Sequence, residues 1–186
     1  MTLYRCFPWE RGVRAGARGG PLWFPRMLQG AGRHDNPHLY GCLYVTEGPL
    51  SAVVEQLARL AGTSLAPPDL VRRGRPLALA RIELADDAGE VVDLDEPAVL
   101  ERERLRPSLV ATHERARTQA DAAALYERHE RAVALRWWST FESLWANVTL
   151  FDRAAEALSV ADVSILALDD DVVGEAAEFL GLPIAT

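Results

Sequence analysis

The sequence predicts an α+β fold, built as one domain over residues 1–186. Three observations point there. Strand-like and helix-like segments alternate irregularly, with no internal repeat, low-complexity tract or linker between them. A chain of 186 residues, 49% hydrophobic and 25% charged, has enough apolar material for one core and too little for two comfortable ones. Finally, β-branched and aromatic residues gather in short runs bounded by Gly, Pro and Asp, which is how strands are punctuated.

Taken in order, LYRCF at 3–7 reads as a short strand, and the Gly-, Pro- and Arg-rich stretch that follows to about residue 38 reads as a long loop or several turns. So long a loop in a compact domain is usually functional. YGCLYVT at 40–46 reads as a strand, and Gly48-Pro49 as a helix start. From Pro49 to about Ala61, Leu50, Val53, Val54, Leu57, Leu60 and Ala61 recur at the helical period and define a core face, with Glu55 on its flank. PLALARIEL (76–84) and EVVDL (90–94) alternate around Asp-Asp-Ala-Gly and predict a hairpin. Residues 97–106 and 115–129 read as helices, the second burying Ala122, Ala123 and Leu125. AVALRWW (132–138) and WANVTLF (145–151) are two more strands joined by STFES; a strand around 163–168 and a helix over about 171–180, closed by Gly181, complete the chain.

Composition narrows the chemistry. All 20 basic residues are arginines, which excludes lysine Schiff bases and the lysine-dependent P-loop. Cys6 and Cys42 lack C-x-x-C spacing and read as buried reduced thiols, and the four histidines lack the spacing of a metal-binding helix, so no metal is expected. Neither a signal peptide nor a long apolar run is present, which predicts a cytoplasmic protein without a membrane segment. The net charge of −7 argues against nucleic acid as a direct partner. Charge is uneven, however. Residues 1–40 carry six arginines against Glu10 and Asp35, while residues 154–186 carry seven acids and no base. An arginine-rich segment suits one small anionic ligand, because the guanidinium fork matches phosphate oxygens.

Four polar residues fall where a purely structural account leaves them underexplained: Arg5 in the first strand, Arg33 in QGAGRHDNP, Glu55 on the helix flank, and Ser139 directly after RWW. Singly, each has a plain reading as an edge residue, a solvated loop charge, a surface acid pairing with Arg59, or a turn cap. Together they describe a site for breaking a glycosidic bond. Arginines hold a pyrophosphate, aromatics pack on flat rings, and one carboxylate faces the positive charge that develops on a sugar. A conventional glycosidase wants two cooperating carboxylates, and no second one is evident.

Two blocks carry a family resemblance. QGAGRHDNPHLYGCLYVTEGPLSAVVEQLARL and ARTQADAAALYERHERAVALRWWSTFESLWANVTLFDRA resemble the RES domain, whose name records an arginine, a glutamate and a serine. The evenly spaced Arg33, Tyr44 and Glu55, with Ser139, fit its pattern, and the likeness covers about residues 3–153. The resemblance implies an ADP-ribosyltransferase-like split, mixed or antiparallel sheet flanked by helices, with residues 154–186 closing the same domain. It implies an NAD glycohydrolase or NAD phosphorylase, the toxin of a toxin–antitoxin pair, with NAD as substrate and no further cofactor, typically a homodimer silenced by a helix-turn-helix antitoxin. Arg5 and Arg33 would hold NAD phosphates or ribose, Tyr44 would pack near the nicotinamide, Glu55 would be the catalytic carboxylate, and Ser139 would steady the ribose or that carboxylate. The family's GRW turn reads GRHDNP here, and Trp138 stands where many members have proline before the serine. The competing readings are a protein ADP-ribosyltransferase, a non-catalytic NAD- or nucleotide-binding regulatory module, and a thiol hydrolase built on Cys6 or Cys42.

Overall fold

The computed structural model describes residues 1–185; Thr186, the last residue of the expected domain, lies outside them. Its strands are β1 (Thr2–Pro8), β2 (Cys42–Thr46), β3 (Val71–Arg72), β4 (Arg75–Leu84), β5 (Glu90–Asp93), β6 (Ala132–Trp138), β7 (Ala146–Phe151) and β8 (Leu158–Ile165). Its helices are α1 (Pro49–Leu57), α2 (Pro97–Glu103), α3 (Pro107–Val110), α4 (Arg115–Arg128) and α5 (Asp171–Leu180). Local chemistry explains several of these boundaries. Pro49, Pro97 and Pro107 each open a helix, where a missing N–H costs nothing. Gly181 ends α5 in the left-handed conformation at φ 64°, releasing its N–H to the α5 carbonyls. The sheet is mixed and mostly antiparallel, so the class is α+β as predicted: the β1–β2, β1–β4, β3–β4 and β6–β7 pairs are antiparallel and β5–β6 is parallel.

By compactness the chain divides into two units. The first comprises Met1, Phe24–Tyr44 and Leu84–Leu158. Its strands run in the order β2-β7-β6-β5, with β7 buried along its whole length. Tyr40, Cys42, Leu100, Leu125, Leu135, Trp137 and Phe151 share its core. The rings of Tyr40, Tyr126 and Phe151 meet with centroids 4.5–4.9 Å apart, the spacing of favourable tilted and edge-on pairs. Ala122 and Leu125 of α4 are buried here, whereas Ala123 is only half-buried.

The second unit comprises Thr2–Trp23, Val45–Glu83 and the chain from Ser159 onward. Its strands run β3-β4-β1-β2, with β8 on β4. Helix α1 packs on β1 and on α5, and Val53, Val54, Leu57, Val173 and Ala176 are fully buried. After Leu57 the helix tightens into a 3-10 turn over Ala58–Leu60, so Leu60 is buried while Ala61 is exposed.

The hairpin predicted between 76–84 and 90–94 does not form. Strand β4 pairs with β1 in register from Thr2↔Glu83 to Pro8↔Leu77, while β5 pairs in parallel with β6. Alternating hydrophobicity reports which face of a strand is covered and says nothing of its neighbour. Gly89 (φ 143°) makes the diversion possible: a Cβ there would lie 2.5 Å from the Arg131 carbonyl, which accepts the Glu90 N–H at 2.9 Å and starts the β5–β6 pairing. The last strand begins at Leu158, five residues before the expected segment.

Candidate functional site

Between Gln29 and Asn36 the chain has no repeating secondary structure, so its backbone groups must find partners elsewhere. Side chains supply them. Asp35 Oδ2 accepts the N–H of Gly30 at 2.8 Å and of Gly32 at 2.7 Å. Gln119, one turn into α4, donates its amide to the carbonyls of Gly30 (3.0 Å) and Gly32 (2.9 Å). Thr118 Oγ1 donates to the Arg33 carbonyl at 2.6 Å, and Tyr40 Oη and Asn36 Nδ2 both donate to that of His34, at 2.8 and 3.3 Å. A loop held this way is as fixed as a strand.

Two of the expected site residues lie in this network. Arg33, only 6% exposed, sends Nη1 to the carbonyls of Val110 (3.0 Å) and Thr112 (2.6 Å) and lays its guanidinium over the Trp137 ring, 4.7 Å from the centroid. It therefore fastens the segment after α3 to the loop. Tyr44, half-buried on β2, donates its hydroxyl to Asp35 Oδ1 at 2.7 Å and accepts the His34 N–H at 2.9 Å. Burial, reinforced by Cys42 and Asp35, pushes the phenol far above its ordinary range.

The histidine of GRHDNP has its ring turned inward. His34 meets Trp137 edge-on with centroids 5.3 Å apart, and its Nδ1 lies 2.9 Å from Thr149 Oγ1. Trp137 Nε1 donates to the same hydroxyl at 3.2 Å. Thr149 is fully buried, and its hydroxyl is shared between the His34 imidazole and the Trp137 N–H. Burial, with Arg33 and Arg115 nearby, lowers the His34 pKa to about 3, and the ring stays neutral.

Ser139 follows β6 and is 2% exposed. Its Oγ accepts the Phe141 N–H at 3.1 Å while its N–H donates to the Trp145 carbonyl at 2.8 Å, so it caps the β6–β7 connection. In the same unit Asp95, Pro97, Leu100, Leu105 and Trp138 help line a pocket of about 530 Å³.

The other two expected residues belong to the second unit. Arg5 on β1 is half-buried; its Nη1 donates to the carbonyls of Pro21 (2.6 Å) and Gly20 (3.3 Å), and its guanidinium lies 4.9 Å from the Phe7 ring centroid. Burial lowers its pKa to about 10, opposed by Cys6, and it remains a cation at neutral pH. Glu55 is exposed on α1, between the buried Val54 and the half-buried Gln56, and its neighbour one turn on, Arg59, donates to the Asp69 carbonyl at 2.7 Å. Both thiols are buried. Cys6 is pushed up to about 12 by burial and Cys42 higher still, so neither is a ready nucleophile, and the Cys42 thiol faces the His34 carbonyl at 3.4 Å rather than an imidazole. Among the described residues no group of three or more His, Cys, Asp or Glu is placed to hold a metal ion, and no helix is long and apolar enough to cross a membrane.

Sequence reasoning missed Asp35, Thr118, Gln119 and Thr149. For Asp35 a signal existed: an acid two residues before a proline in a Gly-rich stretch accepts backbone N–H groups in turns. Thr149 carried none, since its partners are set by the packing of β7 against the loop.

The fold is α+β, with an arginine in a clasped loop ahead of β2 and a serine directly after β6. The RES domain family model matches residues 2–171, and the chain belongs to that family. Its fold is similar to that of a chain in the crystal structure of the M. tuberculosis MbcT–MbcA toxin–antitoxin complex, at 18% identity, with a TM-score of 0.61 over 97% of this chain and 87% of the other. No curated protein matches in sequence.

Proposed function

We propose that this protein degrades NAD by cleaving its nicotinamide–ribose bond, as an NAD glycohydrolase or NAD phosphorylase, and that it is the toxin of a toxin–antitoxin pair. The observation that carries the reading is the RES family match across residues 2–171, which spans every residue of the Arg33, Tyr44, Glu55 and Ser139 series. The fold shared with a chain of a toxin–antitoxin complex supports an antitoxin partner; a helix-turn-helix antitoxin, a homodimeric form and a cytoplasmic location belong to the same proposal through the family resemblance.

In this reaction the C1′–N bond breaks with its electron pair moving onto the nicotinamide nitrogen, which neutralises the pyridinium. No proton donor is needed for that leaving group. The ribose takes on oxocarbenium character, and the Glu55 carboxylate is the group assigned to stabilise it. Water then adds at C1′, giving ADP-ribose and a proton, or phosphate adds, giving ADP-ribose 1-phosphate. Arg5, a cation at neutral pH, and Arg33 are assigned to the NAD phosphates or ribose, Tyr44 to the nicotinamide side, and Ser139 to the ribose or Glu55.

The test is product analysis by mass spectrometry after incubation of the purified chain with NAD, with and without phosphate. Free nicotinamide together with ADP-ribose or its 1-phosphate is the expected result. NAD bound and recovered intact would support the non-catalytic module instead, and ADP-ribose attached to protein would support the transferase.

A further inference from the structure

The Tyr44 hydroxyl is fully committed inside its own unit. Its proton goes to Asp35 Oδ1 at 2.7 Å, and its oxygen accepts the His34 N–H at 2.9 Å. A phenol engaged at both ends has little left to offer a substrate, and the half-buried ring packs against the core of its unit. The orientation of that ring is decided by Asp35, whose second oxygen is itself clamped by the N–H groups of Gly30 and Gly32 at 2.8 and 2.7 Å. Gly32 closes the arrangement: a Cβ there would lie 2.5 Å from Asp35 Oδ1 and 2.6 Å from Tyr44 Oη, so nothing larger than glycine fits against the pair. Gln119 holds the outer side of the same turn through the Gly30 and Gly32 carbonyls.

Resting on the NAD reading, we infer that Asp35 is a positioning residue for substrate binding: it fixes the Tyr44 ring as a platform for the flat nicotinamide ring, while the Tyr44 hydroxyl takes no part in proton transfer. A ring fixed before binding loses little freedom when the ligand arrives, which lowers KM more than it raises kcat.

The experiment is a double-mutant cycle on the full chain, with nicotinamide release measured against NAD concentration for the parent, Asp35→Asn, Tyr44→Ala and the double variant. Asp35→Asn keeps a single acceptor oxygen, so either the Gly30 and Gly32 N–H groups or the Tyr44 hydroxyl loses its acceptor; it is expected to raise KM roughly tenfold with kcat within about threefold. Because Asp35 acts through Tyr44, the substitution is expected to add nothing further to KM in the Tyr44→Ala background. Tyr44→Phe, which keeps the ring and loses its anchor, is expected between parent and Tyr44→Ala in KM, and it carries the test should Asp35→Asn fail to fold. An Asp35 residue that only stabilised the fold would lower the thermal midpoint and leave KM unmoved; that result, or additive effects on KM, overturns the inference while leaving the NAD reading intact. A parent that releases no nicotinamide overturns both.

Discussion

Arg33 and Trp137 are stacked, the guanidinium 4.7 Å from the indole ring centroid, while the same guanidinium bonds the Val110 and Thr112 carbonyls 77 and 79 residues further along the chain. A cation buried to 6% exposure with those partners holds the first unit together. Arg33→Lys keeps the charge and loses the planar fork. It is expected to destabilise the chain by about 1–3 kcal/mol in urea unfolding. A change within a few tenths of a kcal/mol would mean that this arginine is not the fastener described.

Glycine at position 32 is a steric requirement rather than a conformational one. Gly32→Ala forces a methyl group against Asp35 Oδ1 and Tyr44 Oη at 2.5 and 2.6 Å, and the turn has to shift to admit it. The expected cost is about 1–3 kcal/mol. Equal urea midpoints for variant and parent would show that the turn yields freely.

His34 makes stability depend on pH. Its folded pKa, about 3, lies below the ordinary 6.5, so between these values the unfolded chain binds the proton and the folded one does not. The contribution is therefore fully present above pH 6.5 and is lost as pH falls toward 3, at about 1.4 kcal/mol per pH unit. Between pH 6.5 and 4.5 the parent is expected to lose about 2–3 kcal/mol more than His34→Leu, whose orphaned Thr149 hydroxyl costs the same at both pH values. Parallel pH profiles for the two proteins would contradict a buried neutral imidazole.

Glu103 acts in the same direction with pH, for a different reason. Burial alone would raise its pKa, but hydrogen bonds from Arg102, His129 and Arg128 outweigh burial and lower it below the ordinary carboxylate value of 4.5. A lowered carboxylate adds stability above its unfolded pKa and loses it as pH falls through the folded one. Glu103→Gln is thus expected to destabilise the chain at pH 7, with the gap to the parent closing below about pH 4. A gap that stayed constant with pH would rule out the ionic contribution.

How much of this was legible in the sequence depends on the range over which each feature is decided. Strands β1, β2, β6 and β7 and helix α5 follow from local patterning and caps, and all form where expected within a few residues. The β4–β5 hairpin did not, because partner choice rests on contacts such as Gly89 against Arg131, which no alternation pattern encodes. Candidate residues show the same division. Arg33, Tyr44, Glu55 and Ser139 are singled out by the family pattern alone, whereas the inward turn of His34 is not visible in it. It depends on Thr149, 115 positions away.

Glu55 tests the central claim most directly. It is exposed on α1, so Glu55→Ala is expected to keep the parental urea midpoint within about 0.5 kcal/mol while abolishing nicotinamide release from NAD. Measured side by side on folded protein, no detectable nicotinamide from the variant and steady release from the parent is the result this account predicts. Release at the parental rate from Glu55→Ala would contradict it.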